Sequence, residues 1–238
     1  MYGWRARIGL LMPSVNTALE PEFYHVCPDG VSIHSARMQH EGTANIANLI
    51  EMNKHLKDAT EQLVSVKPTV IAYGCTAGSF LNGKEWDGQL THMIQDLSQV
   101  AVTTTSTAAV QALRKLGIKR LSIVTPYIHE INVLAKNYFE QNSFEVISIH
   151  GMHIQDGREI GNLAAAEVHG FSRKYCDRES DALFIACTTL GTLEVLNLLE
   201  EDLHRPVISA NQATIWASLR LAGVRERTDA FGELLAKF

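Results

Sequence analysis

Cysteine is scarce in this 238-residue chain: four residues, at 27, 75, 176 and 187, with no C-x-x-C pair among them. A chain this long does not depend on disulfide staples, so the four are expected as free thiols in a reducing compartment. Ten histidines are scattered without an i, i+4 or H-E-x-x-H pair, which removes the usual zinc signatures and with them the expectation of a metal. No Lys/Arg-rich block is present and the net charge is -5, so nucleic acid is not an expected partner. No stretch approaches the roughly 18 apolar residues that cross a bilayer, which argues against a membrane partner. The N-terminal MYGWRARIGLLMP has a short apolar run that ends at Pro13, unlike a secretory h-region, and a cytoplasmic location is expected. A Pro/Gly/Ser linker is also missing, so any two domains must be joined through ordered structure.

What the chain does contain is duplication. TVIAYGCTAGS (Thr69 to Ser79) and ALFIACTTLGT (Ala182 to Thr192) are both apolar runs ending in Cys-Thr, and their cysteines stand 112 positions apart. RIGLLMP, from Arg7, recurs as RLSIVTP 113 positions on, and LRKLG, from Leu113, is echoed by LRLAG 106 on. Similar offsets in one chain order indicate two half-molecules of similar design. Short β runs alternate with segments of helical spacing. Strands are predicted near Arg7–Met12, Val31–Met38, Thr69–Tyr73, Val100–Thr104, Leu121–Val124, Phe144–Ile149, Ala182–Ala186 and Val207–Ser209, and helices include Ser106–Leu116, His129–Gln141, Gly161–Cys176 and Thr192–Leu203. This alternation predicts an α/β fold of two pseudo-symmetric three-layer domains with mostly parallel sheets and a cleft between them. The expected division is 1–111 and 112–212, with 213–238 packing back on the first domain.

In open α/β sheets ligands bind outside the carboxyl ends of strands. Asn16, Cys75, Thr103, Tyr127, Cys187 and Asn211 all fall just past such ends, and one shared cleft would collect them. The turn GCTAGS offers free backbone N–H groups and hydroxyls at a helix start, an arrangement that favours anions and is expected to lower the pKa of Cys75. Cys187 with Thr188 and Thr189 repeats it. Asn16, in MPSVNT, is either a helix N-cap or a carboxylate ligand, and Tyr127, in TPY, either donates its phenol to a carboxylate or enolate or serves as an amphipathic lid residue. The run TTTST (Thr103 to Thr107) reads mainly as capping, Cys27 and Cys176 as structural, and His34, His40 and His153 as core or surface residues.

WRARIGLLMPSVNT, YGCTAGS, VTTTSTAAVQALRKLGIKRLSIVTPY and ACTTLGTLEVLNLLEEDLHRPVISANQA together resemble the aspartate/glutamate racemase superfamily, in its branch of maleate cis-trans isomerases and arylmalonate decarboxylases. The resemblance implies two pseudo-symmetric domains, no metal, nucleotide or pyridoxal cofactor, and catalysis by Cys75 and Cys187. It also implies substrate contacts from Asn16, Thr76, Tyr127 and Thr188, a set completed by Ser14, Ala77 and Thr189 in the same turns. The decarboxylases carry Gly at the first cysteine position, whereas this chain keeps both thiols, which favours an isomerase or racemase. Where maleate isomerases tend to have an Asp-Asn pair, this chain reads Asp156-Gly157. The function so implied is cofactor-independent cis-to-trans isomerisation of a small dicarboxylate by thiolate addition. An arylmalonate-type decarboxylase or an amino-acid racemase, working through a cysteine-protonated enediolate, is the alternative, and a small-ligand binding protein stands behind both. A homodimer is the default assembly.

Overall fold

The computed structural model describes residues 2–238 and contains two four-stranded parallel sheets. The first is built from β1 (Ala6–Pro13), β2 (Val31–Met38), β3 (Val70–Tyr73) and β4 (Ala101–Thr104) in the order β2-β1-β3-β4. The second uses β5 (Arg120–Thr125), β6 (Glu145–Gly151), β7 (Ala182–Ile185) and β8 (Val207–Ser209) in the order β6-β5-β7-β8. The two orders are the same order, so the duplication seen in the sequence is a duplication of topology. All eight strands stand within a few residues of their predicted positions. Helices follow the strands on both faces, giving the α/β architecture that the alternation implied.

The central strands have no solvated face, which is why they read as continuous apolar runs. β3 and β7 are buried at every residue, and β1 at all but Arg7. Ile8 pairs with Ile33 on one side and Val70 on the other, and Ile123 pairs likewise with Ile149 and Phe184. Each such fully buried Ile or Leu contributes on the order of 1.5–3 kcal/mol relative to exposure. The edge strand β6 is largely half-buried and shifts register against β5 between Leu121 and Ser122.

One apolar cluster runs through both halves, from Leu11, Tyr73 and Phe80 to Tyr138, Phe139 and Phe184. A second, smaller one joins Ala6, Ile8, Leu10, Val70 and Ala72 of the first sheet to Ile215 and Leu219. Those two residues belong to the helix Ala210–Leu221, which is buried from Ala210 through Leu219 and packs against the helix Thr105–Lys115. The two helices follow β4 and β8, the last strand of each sheet. Both start in the same way: the Thr104 side chain accepts from the Thr107 N–H, and that of Ser209 from the Gln212 N–H. Thr105 and Thr214 hydroxyls meet between them at 3.0 Å.

Two predicted helices differ in the structure. Thr192–Leu203 becomes a 3₁₀ turn, Leu193–Val195, and a helix, Leu196–Leu203, while the helix expected over Gly161–Cys176 starts only at Ala165 and runs to Tyr175, behind a separate short helix, Gly157–Gly161, that the sequence reading did not include. Among the described residues no helix is long and apolar enough to cross a membrane.

Candidate functional site

In each sheet the chain leaves the first strand toward one edge and later returns on its other side, so a crevice opens between the ends of the first and third strands. Pro13 to Thr17 and Cys75 flank it in one half; Thr125 to Tyr127 and Cys187 flank it in the other. The halves face each other there across a partly open cavity of about 40 Å³, room for a few waters. Cys75, Thr76, Ala77, Tyr127, Cys187, Thr188 and Thr189 line it, together with Pro13, Val15, His40, Gly42, Ala44, Leu49, Gly157 and Ile160.

Cys75 caps the five-residue helix Thr76–Phe80 with its sulfur, which accepts the Gly78 N–H at 3.4 Å. Two glycines permit this turn. A Cβ on Gly74 would strike Leu19 and lie 3.2 Å from the Leu11 carbonyl, and one on Gly78 would strike the Tyr73 phenol and lie 3.1 Å from Cys75 Sγ. Cys187 sits at φ +96°, a region where a non-glycine residue is strained. That strain falls on the second thiol itself, and the backbone N–H groups of Thr189 and Leu190 turn toward its sulfur.

Both thiols are free and buried, each 6 % exposed. Burial pushes the Cys75 thiol up to about 12, against the opposing pull of the Gly78 and Ala77 N–H groups, and a charge on Cys187 would raise it further. Cys187 is raised by the same desolvation, offset by the Thr189 N–H and the Tyr127 phenol. The expectation of a lowered Cys75 pKa is therefore corrected: the turn supplies donors as anticipated, but burial of the thiol away from water outweighs them. Tyr127, 3 % exposed, is raised well above its usual range by burial and lies beside Cys187 and Thr76. It is held by an edge contact with Phe80, ring centroids 6.3 Å apart. The Thr76 hydroxyl oxygen is buried beside the Tyr127 phenol, with no hydrogen-bond partner of ordinary geometry among the described residues.

Two other candidates stand behind the cavity wall. Asn16 makes the capping contacts considered for it, its Oδ1 accepting the Ala18 and Leu19 N–H groups at 3.1 and 3.0 Å, while its Nδ2 donates to Thr188 Oγ1 at 3.2 Å. Ser14 accepts the His40 N–H at 3.0 Å through its hydroxyl, and so shapes the loop above the cavity. Thr103 and Asn211, grouped with the cleft from strand ends alone, do not line it. The Thr103 hydroxyl bonds the Thr104 carbonyl, and Asn211 bonds Glu22 and the Leu190 carbonyl.

Sequence reasoning missed two residues. Glu22, on the helix Leu19–Val26, accepts the N–H groups of Thr192 and Leu193 at 2.5 and 3.0 Å and the Asn211 amide at 2.6 Å. It thereby ties the segment after Cys187 to the first half, although burial raises its pKa. His40 was assigned to core or surface, yet it lines the cavity; its place two residues beyond β2, at a strand end, was the available signal.

A duplicated parallel α/β chain whose two third strands each deliver a thiol to one shared cavity is the frame of a two-cysteine enzyme. The model of the arylmalonate decarboxylase family matches residues 8–235, and the chain belongs to that family. It is 27 % identical to a maleate isomerase from Nocardia farcinica, over 96 % of this chain and 95 % of that one. It is 26 % identical to an arylmalonate decarboxylase from Bordetella bronchiseptica, over 87 % of this chain and 76 % of that one. Among solved structures, a cysteine-to-serine variant of the N. farcinica maleate cis-trans isomerase, carrying a covalently bound succinylcysteine intermediate, superposes with a TM-score of 0.93 at 26 % identity. It covers 98 % of this chain and 99 % of that one.

Proposed function

We propose that the protein is a cofactor-independent cis-trans isomerase of a compact dicarboxylate, maleate being the substrate to test first. The observation that carries this reading is the pair of thiols, Cys75 and Cys187, at equivalent turns on one small cavity. Similarity to maleate isomerases over nearly the whole chain supports it.

The pair enters the reaction as one thiolate and one thiol. Cys75 sulfur adds to one alkene carbon, and the π electrons move onto the neighbouring carbon and its carboxylate as an enediolate. The former double bond is now single and rotates. Return of the electron pair re-forms the alkene in the trans geometry and expels the Cys75 thiolate. Where the Cys187 thiol first protonates the carbanion, its thiolate removes that proton again before expulsion, so atoms and charge balance on either branch. The Thr76 hydroxyl, the Tyr127 phenol and nearby backbone N–H groups receive the carboxylate on which charge develops.

The second thiol separates this reading from arylmalonate decarboxylation: a decarboxylase using one proton-donating cysteine would leave Cys75 without a task. The free thiols suit a reducing compartment such as the cytoplasm.

The test is incubation with maleate in D₂O, followed by proton NMR, with Cys75→Ser as control. Fumarate formed by the native protein alone supports the reading, and deuterium in the product reports on Cys187. Unchanged maleate overturns it and turns attention to α-proton exchange and decarboxylation of amino acids and malonates.

A further inference from the structure

The cavity wall has an uneven chemistry. Thiols and hydroxyls come from the two third-strand turns and Tyr127, whereas Pro13, Val15, Gly42, Ala44, Leu49, Gly157 and Ile160 bring no polar side chain. Among the lining residues there is no Lys, Arg, Asn or Gln, and His40 is the one side chain carrying nitrogen. A second carboxylate of a substrate held by the turns therefore has one side-chain N–H to meet.

The geometry around His40 sets which hydrogen it offers. Nδ1 accepts the Gly42 N–H at 2.9 Å, so the ring proton sits on Nε2, and no protein acceptor among the described residues takes it. Protonating Nδ1 as well would set two N–H groups face to face, so the ring is held neutral, in agreement with its burial, which lowers its pKa. Ser14 clamps the His40 backbone, accepting its N–H at 3.0 Å. The loop carrying it is pinned to the other half by Ala44 N–H to the Gln155 carbonyl at 2.7 Å and Gly157 N–H to the Gly42 carbonyl at 2.8 Å. A Cβ on Gly157 would lie 3.2 Å from that same Gly42 carbonyl and 3.3 Å from Val15, so the loop that presents His40 occupies the space a side chain at 157 would need.

We propose that His40 is a specificity-determining residue, a fixed neutral donor whose Nε2–H binds the substrate's second carboxylate, in the place where Gly157 offers no side chain. The proposal deepens the dicarboxylate reading above and rests on it. A hydrogen bond to a charged group is worth a factor of roughly ten to a hundred in affinity, and the ligand that lacks the acceptor loses that factor.

The test compares maleate with isocrotonate, in which methyl replaces one carboxylate, by calorimetric binding in a Cys75→Ser background where neither ligand can be attacked. The parent should bind maleate about tenfold or more tightly over isocrotonate. His40→Leu should collapse that ratio while keeping isocrotonate affinity, and His40→Gln, which restores an N–H near the same place, should recover most of it. Should His40→Leu not fold, the ring ¹⁵N–¹H signal of His40 in the parent provides the readout: it should move with maleate and stay with isocrotonate. A ratio unchanged in His40→Leu, a ring signal indifferent to maleate, or a parent that does not distinguish the ligands overturns the proposal. Failure of the isomerase reading shows separately, as native protein that binds maleate with the expected ratio and leaves it unconverted.

Discussion

The Thr188 hydroxyl donates to the Gly74 carbonyl at 3.0 Å, joining the residue before one thiol to the residue after the other across 114 positions of sequence. The same oxygen accepts the Asn16 amide at 3.2 Å, so three strand-end turns from two half-molecules meet at one atom. All three groups are buried and none can turn to water instead. The spacing of the two thiols is therefore set by a polar contact in the floor of the site, with apolar packing behind it.

Thr188→Val keeps the volume and removes the hydroxyl, leaving the Gly74 carbonyl and the Asn16 amide without that partner. Stability should fall by about 1–3 kcal/mol, read as a lower urea midpoint at unchanged m-value, with a larger loss in turnover. Thr188→Ser should recover most of both. Equal stability of Thr188→Val and the native protein would remove the hydroxyl from this role.

The two thiols should fail differently. Cys75→Ser lacks the adding sulfur and should form no adduct with maleate, with turnover reduced by about three orders of magnitude or more. Cys187→Ser keeps the adding group but loses the acid-base partner, and intact-mass analysis should find the protein carrying one substrate. An adduct on Cys75→Ser in place of Cys187→Ser would exchange the assignments.

With Cys75 raised to about 12 by burial, its thiolate is a trace species at neutral pH in the absence of substrate. Its alkylation by iodoacetamide should accelerate about tenfold per pH unit from 7 to 10 without levelling near 8.5, where an ordinary cysteine begins to saturate. The sign for stability follows. Between about 9 and about 12 the folded protein retains a proton at Cys75 that the unfolded chain has released, so folding free energy declines as pH rises through that window. Cys75→Ser should lessen the alkaline decline, measured as melting temperature against pH.

Gly78→Ala places a methyl group against the Tyr73 phenol, a fully buried ring bonded to Asn53 at 2.5 Å, and close to Cys75 Sγ. Overpacking of this kind costs about 1–3 kcal/mol and should displace the thiol turn, with activity lost along with stability. Gly88→Ala, inside the helix Gly83–Ser98 with nothing within 4 Å of the added Cβ, is the matched control. It should raise stability by up to about 1 kcal/mol and leave turnover unchanged.

Much of this protein was readable from local pattern. The central strands followed from uninterrupted β-branched and aliphatic runs, since a strand covered on both faces has no polar residue to confuse its period, and repeated runs ending in Cys-Thr marked the third strand of each sheet. Helix boundaries were less legible at Gly161–Cys176 and Thr192–Leu203, where turns at Asn162 and at Thr192 to Val195 interrupt an otherwise helical spacing. Strand ends also over-counted the site. Thr103 proves to be the penultimate residue of β4, its hydroxyl on the Thr104 carbonyl, and Asn211, just past β8, is turned to Glu22 and the Leu190 carbonyl; only three-dimensional placement separates these from Cys75.

The amino-acid sequence by itself determined the repeated α/β plan and delivered a thiol to the mouth of each sheet, because apolar periodicity and small-residue turns act over neighbouring positions. Tertiary structure alone decided the protonation of those thiols, the joining of Thr188 to Gly74, the reach of Glu22 into the second half and the presence of His40 in the cavity wall. Desolvation and hydrogen bonding depend on what the rest of the chain places within a few ångströms, and for these residues those neighbours lie mostly far away along the chain.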